Sequence, residues 1–115
     1  IKKLLDEIIK LGPKIAVITD GVNGAYVSDG KSSWFMPPYP DPKPPYERTG
    51  AGDAFSSTFV AALCLGLRIE EAQAWAPINS MSVVQYVGAR EGLLNRDKLE
   101  KYLAEAPADY IPKLI

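Results

Sequence analysis

An α/β fold is predicted by three features of the chain. Leu4, Leu5, Ile8, Ile9 and Leu11 recur at helical spacing, the signature of an amphipathic helix. They are followed by Ile15-Ala16-Val17-Ile18, a short apolar run rich in β-branched residues that suits a strand covered on both faces, as in a parallel sheet. Further on, Thr49-Gly50-Ala51-Gly52-Asp53-Ala54-Phe55 passes from small residues directly into the most apolar helical pattern of the sequence.

Taken in order, the first helix carries Lys2, Lys3, Asp6, Glu7 and Lys10 opposite its apolar stripe and stops at Gly12-Pro13, where the chain loses both helix propensity and a backbone donor. Its apolar face calls for a sheet, and helix followed by buried strand is half of a βαβ unit. Thr19 to Gly24 has the composition of a turn. Ala25-Tyr26-Val27-Ser28, then Asp29-Gly30, then Ser32 to Met36 reads as a β-hairpin, because Asp-Gly accepts the positive φ that tight hairpin turns need.

Between Pro37 and Pro45 six of nine residues are proline, which rules out helix and central strand. An extended surface connection is expected, stiffened by restricted φ, delivering the chain to the glycine turn. A ligand for a proline-reading domain is the alternative, and the flanks of Pro37-Pro38 and Pro44-Pro45 lack the pattern for it.

From Ala54 a helix is predicted with Ser56, Ser57 and Thr58 in its first turns, then Phe59 to Leu65 without a polar face, ending near Gly66. Such a helix is expected to be buried all round, and Cys64 with it as a reduced thiol; a single cysteine cannot form an intrachain disulfide. Ile69 to Val87 is helical in composition, with Ala72, Trp75 and Ala76 on one side, a kink or break at Pro77, Asn79 and Ser80 after it, and Gly88 at its end. Asn95 is placed to cap a last amphipathic helix through Leu99, Tyr102 and Leu103, and Pro107 to Ile115 reads as a tail.

A chain of 115 residues with 47% hydrophobic content holds one modest domain. Its 13 basic and 14 acidic residues, net charge −1, are interspersed and form no basic stripe, which argues against nucleic acid as a partner. No apolar run is long enough to cross a bilayer, and Ile1-Lys2-Lys3-Leu4-Leu5 is unlike a signal sequence, so no membrane partner and a cytoplasmic location are expected. Histidine is absent, which removes Ser-His-Asp triads, histidine acid–base work and the common zinc sites from this chain and leaves carboxylates as catalysts.

The chemistry is expected at Gly50 to Asp53. Glycine at 50 and 52 lets backbone N–H groups approach a ligand, and the first turn of a helix presents unpaired donors with partial positive charge, a natural seat for phosphate. Asp53 stands at the junction as N-cap or as base. A plain turn in which Asp53 only caps the helix has the same four residues.

Glu47-Arg48-Thr49-Gly50-Ala51-Gly52-Asp53-Ala54-Phe55 resembles the C-terminal signature of the PfkB (ribokinase-like) carbohydrate kinases, roughly Asp-Thr-x-Gly-Ala-Gly-Asp followed by a small residue and Phe, with Glu47-Arg48 in place of the leading Asp-Thr. The resemblance implies the C-terminal part of a ribokinase-like three-layer α/β/α fold. Residues 1–115 would then be a single nucleotide-side segment of a kinase domain whose N-terminal half, with most acceptor contacts, is absent; the start at Ile1 without methionine fits a cut piece. It implies ATP-dependent phosphorylation of a hydroxyl on a sugar or sugar-like molecule, with Asp53 as the catalytic base and Gly50, Ala51 and Gly52, with the Asp53 N–H, as the anion hole. Magnesium would accompany the nucleotide, with no metal ligand in this segment.

The same resemblance makes Gly21 and Gly24 nucleotide-binding candidates, although ordinary turn geometry accounts for two glycines equally well. Asn79 becomes an adenine-side candidate, with a capping or solvent-facing amide as its bland alternative, and the Gly88-Ala89 turn falls near the nucleotide. Many members hold a monovalent cation beside the anion hole. The fixed charge of Arg48, paired with Glu47 or turned toward phosphate, is expected to replace that ion here; an Arg48 that simply points to solvent, leaving the backbone-built part of an ion site intact, is the alternative. The competing readings are a non-catalytic nucleotide-binding or structural fragment and, within the family, a nucleoside kinase. The isolated segment is expected to be inactive as a kinase and to self-associate through the open edge of its first strand.

Overall fold

The computed structural model describes residues 1–45, 47–88 and 90–115. Its first element, α1 (Lys2–Lys10), buries Leu5 completely and packs against β1 (Ala16–Thr19) and β2 (Ala25–Ser28). The hairpin follows as expected: β2 pairs antiparallel with β3 (Ser33–Met36), with Ser28 opposite Ser33 and Ala25 opposite Met36. Its turn is closed by the Asp29 carboxylate, whose Oδ1 accepts the N–H groups of Lys31 at 2.9 Å and Ser32 at 2.8 Å.

Strand periodicity decides what lies on each face of the sheet. Ala25 and Val27 of β2, with Trp34 and Met36 of β3, join one buried cluster with Phe55, Phe59, Trp75, Ile78 and Met81. Those residues belong to α2 (Ala51–Cys64) and α3 (Ile69–Val83), which pack on each other more extensively than any other pair of elements. Tyr26 and Phe35, on the alternate register, pack together on the other face with ring centroids 5.2 Å apart and planes tilted by 46°. The order is therefore helix, sheet, helix pair: the α/β/α layering the sequence predicts. α4 (Arg96–Ala104) adds Leu99 to the core and packs on α3; the side chain of Asn95 caps it by accepting the Lys98 N–H at 2.9 Å.

Several expectations are corrected. β1 pairs with β2 antiparallel, and among the described residues it has no parallel partner; its residues are half-buried except Ala16, which is buried, and Thr19, which is exposed. The helix begins at Ala51, three residues before the predicted start, because the glycine turn itself is helical from that point on. That helix is not buried all round. Val60 and Leu65 are more than half exposed, and Cys64 is exposed where a buried thiol was expected. Pro77 lies inside α3 without breaking it, losing one backbone bond that the surrounding burial of Ala76, Pro77 and Ile78 outweighs. α3 ends at Val83, four residues before the predicted Val87. The C-terminal segment is more than a tail: Tyr110 is buried with its hydroxyl donating to the Ala74 carbonyl at 2.5 Å, and β4 (Lys113–Leu114) pairs with β3 as the last strand of a sheet ordered β1-β2-β3-β4.

Candidate active site

The site is built at the N-terminus of α2. Gly50 is the N-cap residue with φ 83° and ψ −2°, a left-handed conformation that side chains resist, so glycine is needed for the chain to turn into the helix. Asp53 is therefore not the N-cap but the third helical residue, acidic in the first turn, where the dipole favours its charge. Among the described residues the N–H groups of Gly50, Gly52 and Asp53 have no acceptor, whereas Ala51 gives its N–H to the Arg48 carbonyl at 3.3 Å. Among the described residues the open backbone donors at this helix tip are thus those of Gly50, Gly52 and Asp53, and the N–H of Ala51 is engaged in the turn.

A cavity of about 230 Å³ opens beside this helix start. Gly21 and Gly24 line one side of it and Arg48, Ala51 and Gly52 another, with Met36, Phe55, Pro77 and Met81 supplying apolar wall. Four of the residues predicted from sequence to contact nucleotide or its phosphates, Gly21, Gly24, Ala51 and Gly52, therefore meet around one space. They differ in why they are glycine or small. A Cβ on Gly24 would lie 2.6 Å from the Met36 carbonyl oxygen and from the Phe35 ring, so packing alone demands glycine there. A Cβ on Gly52 would meet nothing within 4 Å, and its φ is not positive. Among the described residues no contact requires a glycine at that helical position, where it costs stability.

Asp53 and Asn79 lie outside the cavity lining. Asp53 is exposed and stands on the other flank of the helix tip from Ala51 and Phe55. Asn79 is buried, donates from Nδ2 to Thr58 Oγ1 at 2.9 Å and accepts the Leu94 N–H at 2.8 Å. Its amide joins α2, α3 and the segment leading to α4. Gly88 gives its N–H to Glu47 Oε1 at 2.9 Å, while Ala89 lies outside the described residues.

The residues that hold the site were not legible as such in the sequence. Ser80 Oγ donates to the Ala51 carbonyl at 3.0 Å, fixing the first turn of α2 to α3. Gln85 Nε2 reaches the Lys43 carbonyl at 3.1 Å and, with Glu47, straps the proline-rich connector to the end of α3. Arg48 does not pair with Glu47; its Nη2 lies 3.8 Å from Oδ2 of Asp41, and both residues line the cavity.

In these three layers a Gly-Ala-Gly-Asp helix start faces a second glycine turn across a cavity, and the chain belongs to the family described as pfkB family carbohydrate kinase, whose model matches residues 1–96. It is 35% identical over 101 residues to the ribokinase of Bacillus subtilis strain 168, a match covering 87% of this chain and 33% of that protein. Among solved structures it resembles Arabidopsis thaliana ribokinase complexed with ribose and ATP, at a TM-score of 0.81 and 26% identity over 89% of this chain and 33% of the other. It also resembles the fructokinase of Vibrio cholerae O395 in its fructose-, ADP- and calcium-bound form, at 0.77 and 27% over 90% and 35%. The chain spans about a third of the length of the curated relatives it matches.

Proposed function

We propose that the chain is the nucleotide-side, base-bearing segment of a kinase that transfers the γ-phosphoryl group of ATP to a hydroxyl of a sugar or sugar-like acceptor. The observation that carries the reading is the division of labour at one helix tip: Gly52 faces the cavity and Asp53 stands exposed on the other flank. A nucleotide in the cavity brings its phosphates over the free N–H groups of Gly50, Gly52 and Asp53, and an acceptor hydroxyl meets them from the Asp53 side.

ATP fits the residues present. The unfilled space at Gly52, three backbone donors without a partner among the described residues and one guanidinium suit a polyphosphate, and the apolar wall suits a base. Magnesium would accompany the nucleotide, where it would neutralise phosphate charge. The acceptor oxygen attacks the γ-phosphorus as the bond to the β-phosphate oxygen breaks, the hydroxyl proton passes to the Asp53 carboxylate, and ADP leaves. Most of the acceleration comes from positioning and from fixed donors aimed at the transferring group. Asn79 serves this site as a brace rather than as a nucleotide contact, and Arg48 supplies fixed positive charge in place of a bound monovalent cation.

The test is Asp53→Asn in the full kinase polypeptide. Turnover is expected to fall by about a hundredfold or more, with ADP affinity, measured by calorimetric titration, within about twofold of the unmutated protein. Near-normal turnover would reduce Asp53 to a favourable charge at a helix start.

A further inference from the structure

Among the described residues Arg48 is the one cationic side chain in the lining of the cavity, and its partner there is loosely held. The Arg48 Nη2 to Asp41 Oδ2 distance of 3.8 Å is beyond hydrogen-bonding range, and the two side chains are 52% and 30% exposed. A pair so spaced and so wetted contributes little to stability. Asp41 itself sits in the proline-rich connector, whose far end is strapped through Glu47 and Gln85 to the segment that follows α3, so the carboxylate is presented to the cavity on a stiff segment. Phosphate oxygens offer a guanidinium what this carboxylate does not, two acceptors at hydrogen-bond distance in one plane.

We propose that Arg48 is the residue that reads the phosphate charge of the nucleotide, and that Asp41 is its placeholder, holding the guanidinium at the cavity until phosphate displaces it. The proposal rests on the nucleotide reading above and deepens it. Arg48 is thereby a specificity residue that separates nucleotides from nucleosides, and Asp41 competes with the phosphates for it. The exchange breaks one weak ion pair and forms a charge-assisted contact, and the carboxylate released is exposed enough to be taken up by water.

The experiment titrates ADP and adenosine separately into the protein and into Arg48→Ala, Arg48→Lys and Asp41→Asn, with thermal melting as the check that each variant is folded. Arg48→Ala is expected to weaken ADP by at least about tenfold, the counterpart of a lost charge-assisted hydrogen bond, while adenosine affinity stays unchanged. Arg48→Lys should recover part of the loss, and Asp41→Asn should strengthen ADP severalfold without touching adenosine. Equal weakening of ADP and adenosine by Arg48→Ala, or no effect on either, overturns the role of Arg48 while leaving the nucleotide site standing. Weaker ADP binding by Asp41→Asn overturns the placeholder, since Asp41 would then be aiming Arg48 productively. Failure of the folded, unmutated protein to bind either ligand overturns the nucleotide reading and this proposal together.

Discussion

Asn79 and Thr58 form a buried side-chain hydrogen bond of 2.9 Å between α3 and α2, 21 residues apart in sequence. Thr58 is one of the three hydroxyl residues early in α2 and the only one of them that is buried. The same amide holds the Leu94 N–H at 2.8 Å, so one side chain fixes how α2 sits against α3 and where the segment before α4 runs. With Ser80 on the Ala51 carbonyl, it keeps the helix tip aimed.

Asn79→Ala is expected to destabilise the fold by about 1–3 kcal/mol, because it leaves a buried hydroxyl and a backbone donor without their partner. Thr58→Val should cost less, and the double variant less than the sum of the two, a positive coupling readable in a urea-denaturation cycle. Additive losses would mean that the pair contributes nothing as a pair. Lost adenosine affinity in Asn79→Ala with unchanged stability would return the residue to the nucleotide.

The hairpin turn carries a pH dependence of definite sign. The N–H groups of Ser32 and, next, Lys31 stabilise the Asp29 carboxylate and hold its carboxyl below the ordinary range. A depressed folded-state pKa means that the contribution to stability is present above the unfolded value near 4 and is lost as pH falls through the lower folded value. Denaturation of the protein and of Asp29→Ala across the acid range should give curves that converge below about pH 4. Parallel curves would show that the turn is indifferent to this charge.

Local signals carried the parts of the fold that could be read in advance. The amphipathic stripe of α1, the Asp29-Gly30 turn and the Asn95 cap each involve residues within a few positions of one another, where spacing and backbone freedom decide the outcome. The pairing of Lys113-Leu114 with β3, the burial of Tyr110 against Ala74 and the strapping of the connector by Glu47 and Gln85 join segments far apart in the chain, and no local pattern encodes them. Composition misled at α2. Its apolar residues predicted burial on every side, but α3 and the sheet cover only the Phe55, Phe59 and Ala62 side, leaving Val60, Cys64 and Leu65 open. The glycine pair at 21 and 24 looked equivalent in sequence, and only the contacts separate them: Gly24 is required by the Met36 carbonyl and the Phe35 ring, whereas Gly21 has open space around its missing Cβ.

Gly52 offers the sharpest separation of stability from function. In the first turn of α2 its backbone is helical and its missing side chain would touch nothing within 4 Å, so Gly52→Ala meets no steric objection in the free protein. Alanine loses less conformational freedom on entering a helix, and the substitution should raise stability by up to about 1 kcal/mol. On the proposed nucleotide reading, the same methyl group projects where a phosphate would approach the Gly52 N–H. In a close-packed complex an added methyl costs about 1–3 kcal/mol, equivalent to about fivefold to a hundredfold or more in ADP affinity. A melting curve and an ADP titration on one variant are therefore expected to move in opposite directions. If the melting temperature rises and ADP affinity is untouched, the phosphates do not pass over Gly52. If the melting temperature falls, a contact within the protein itself requires glycine at this position.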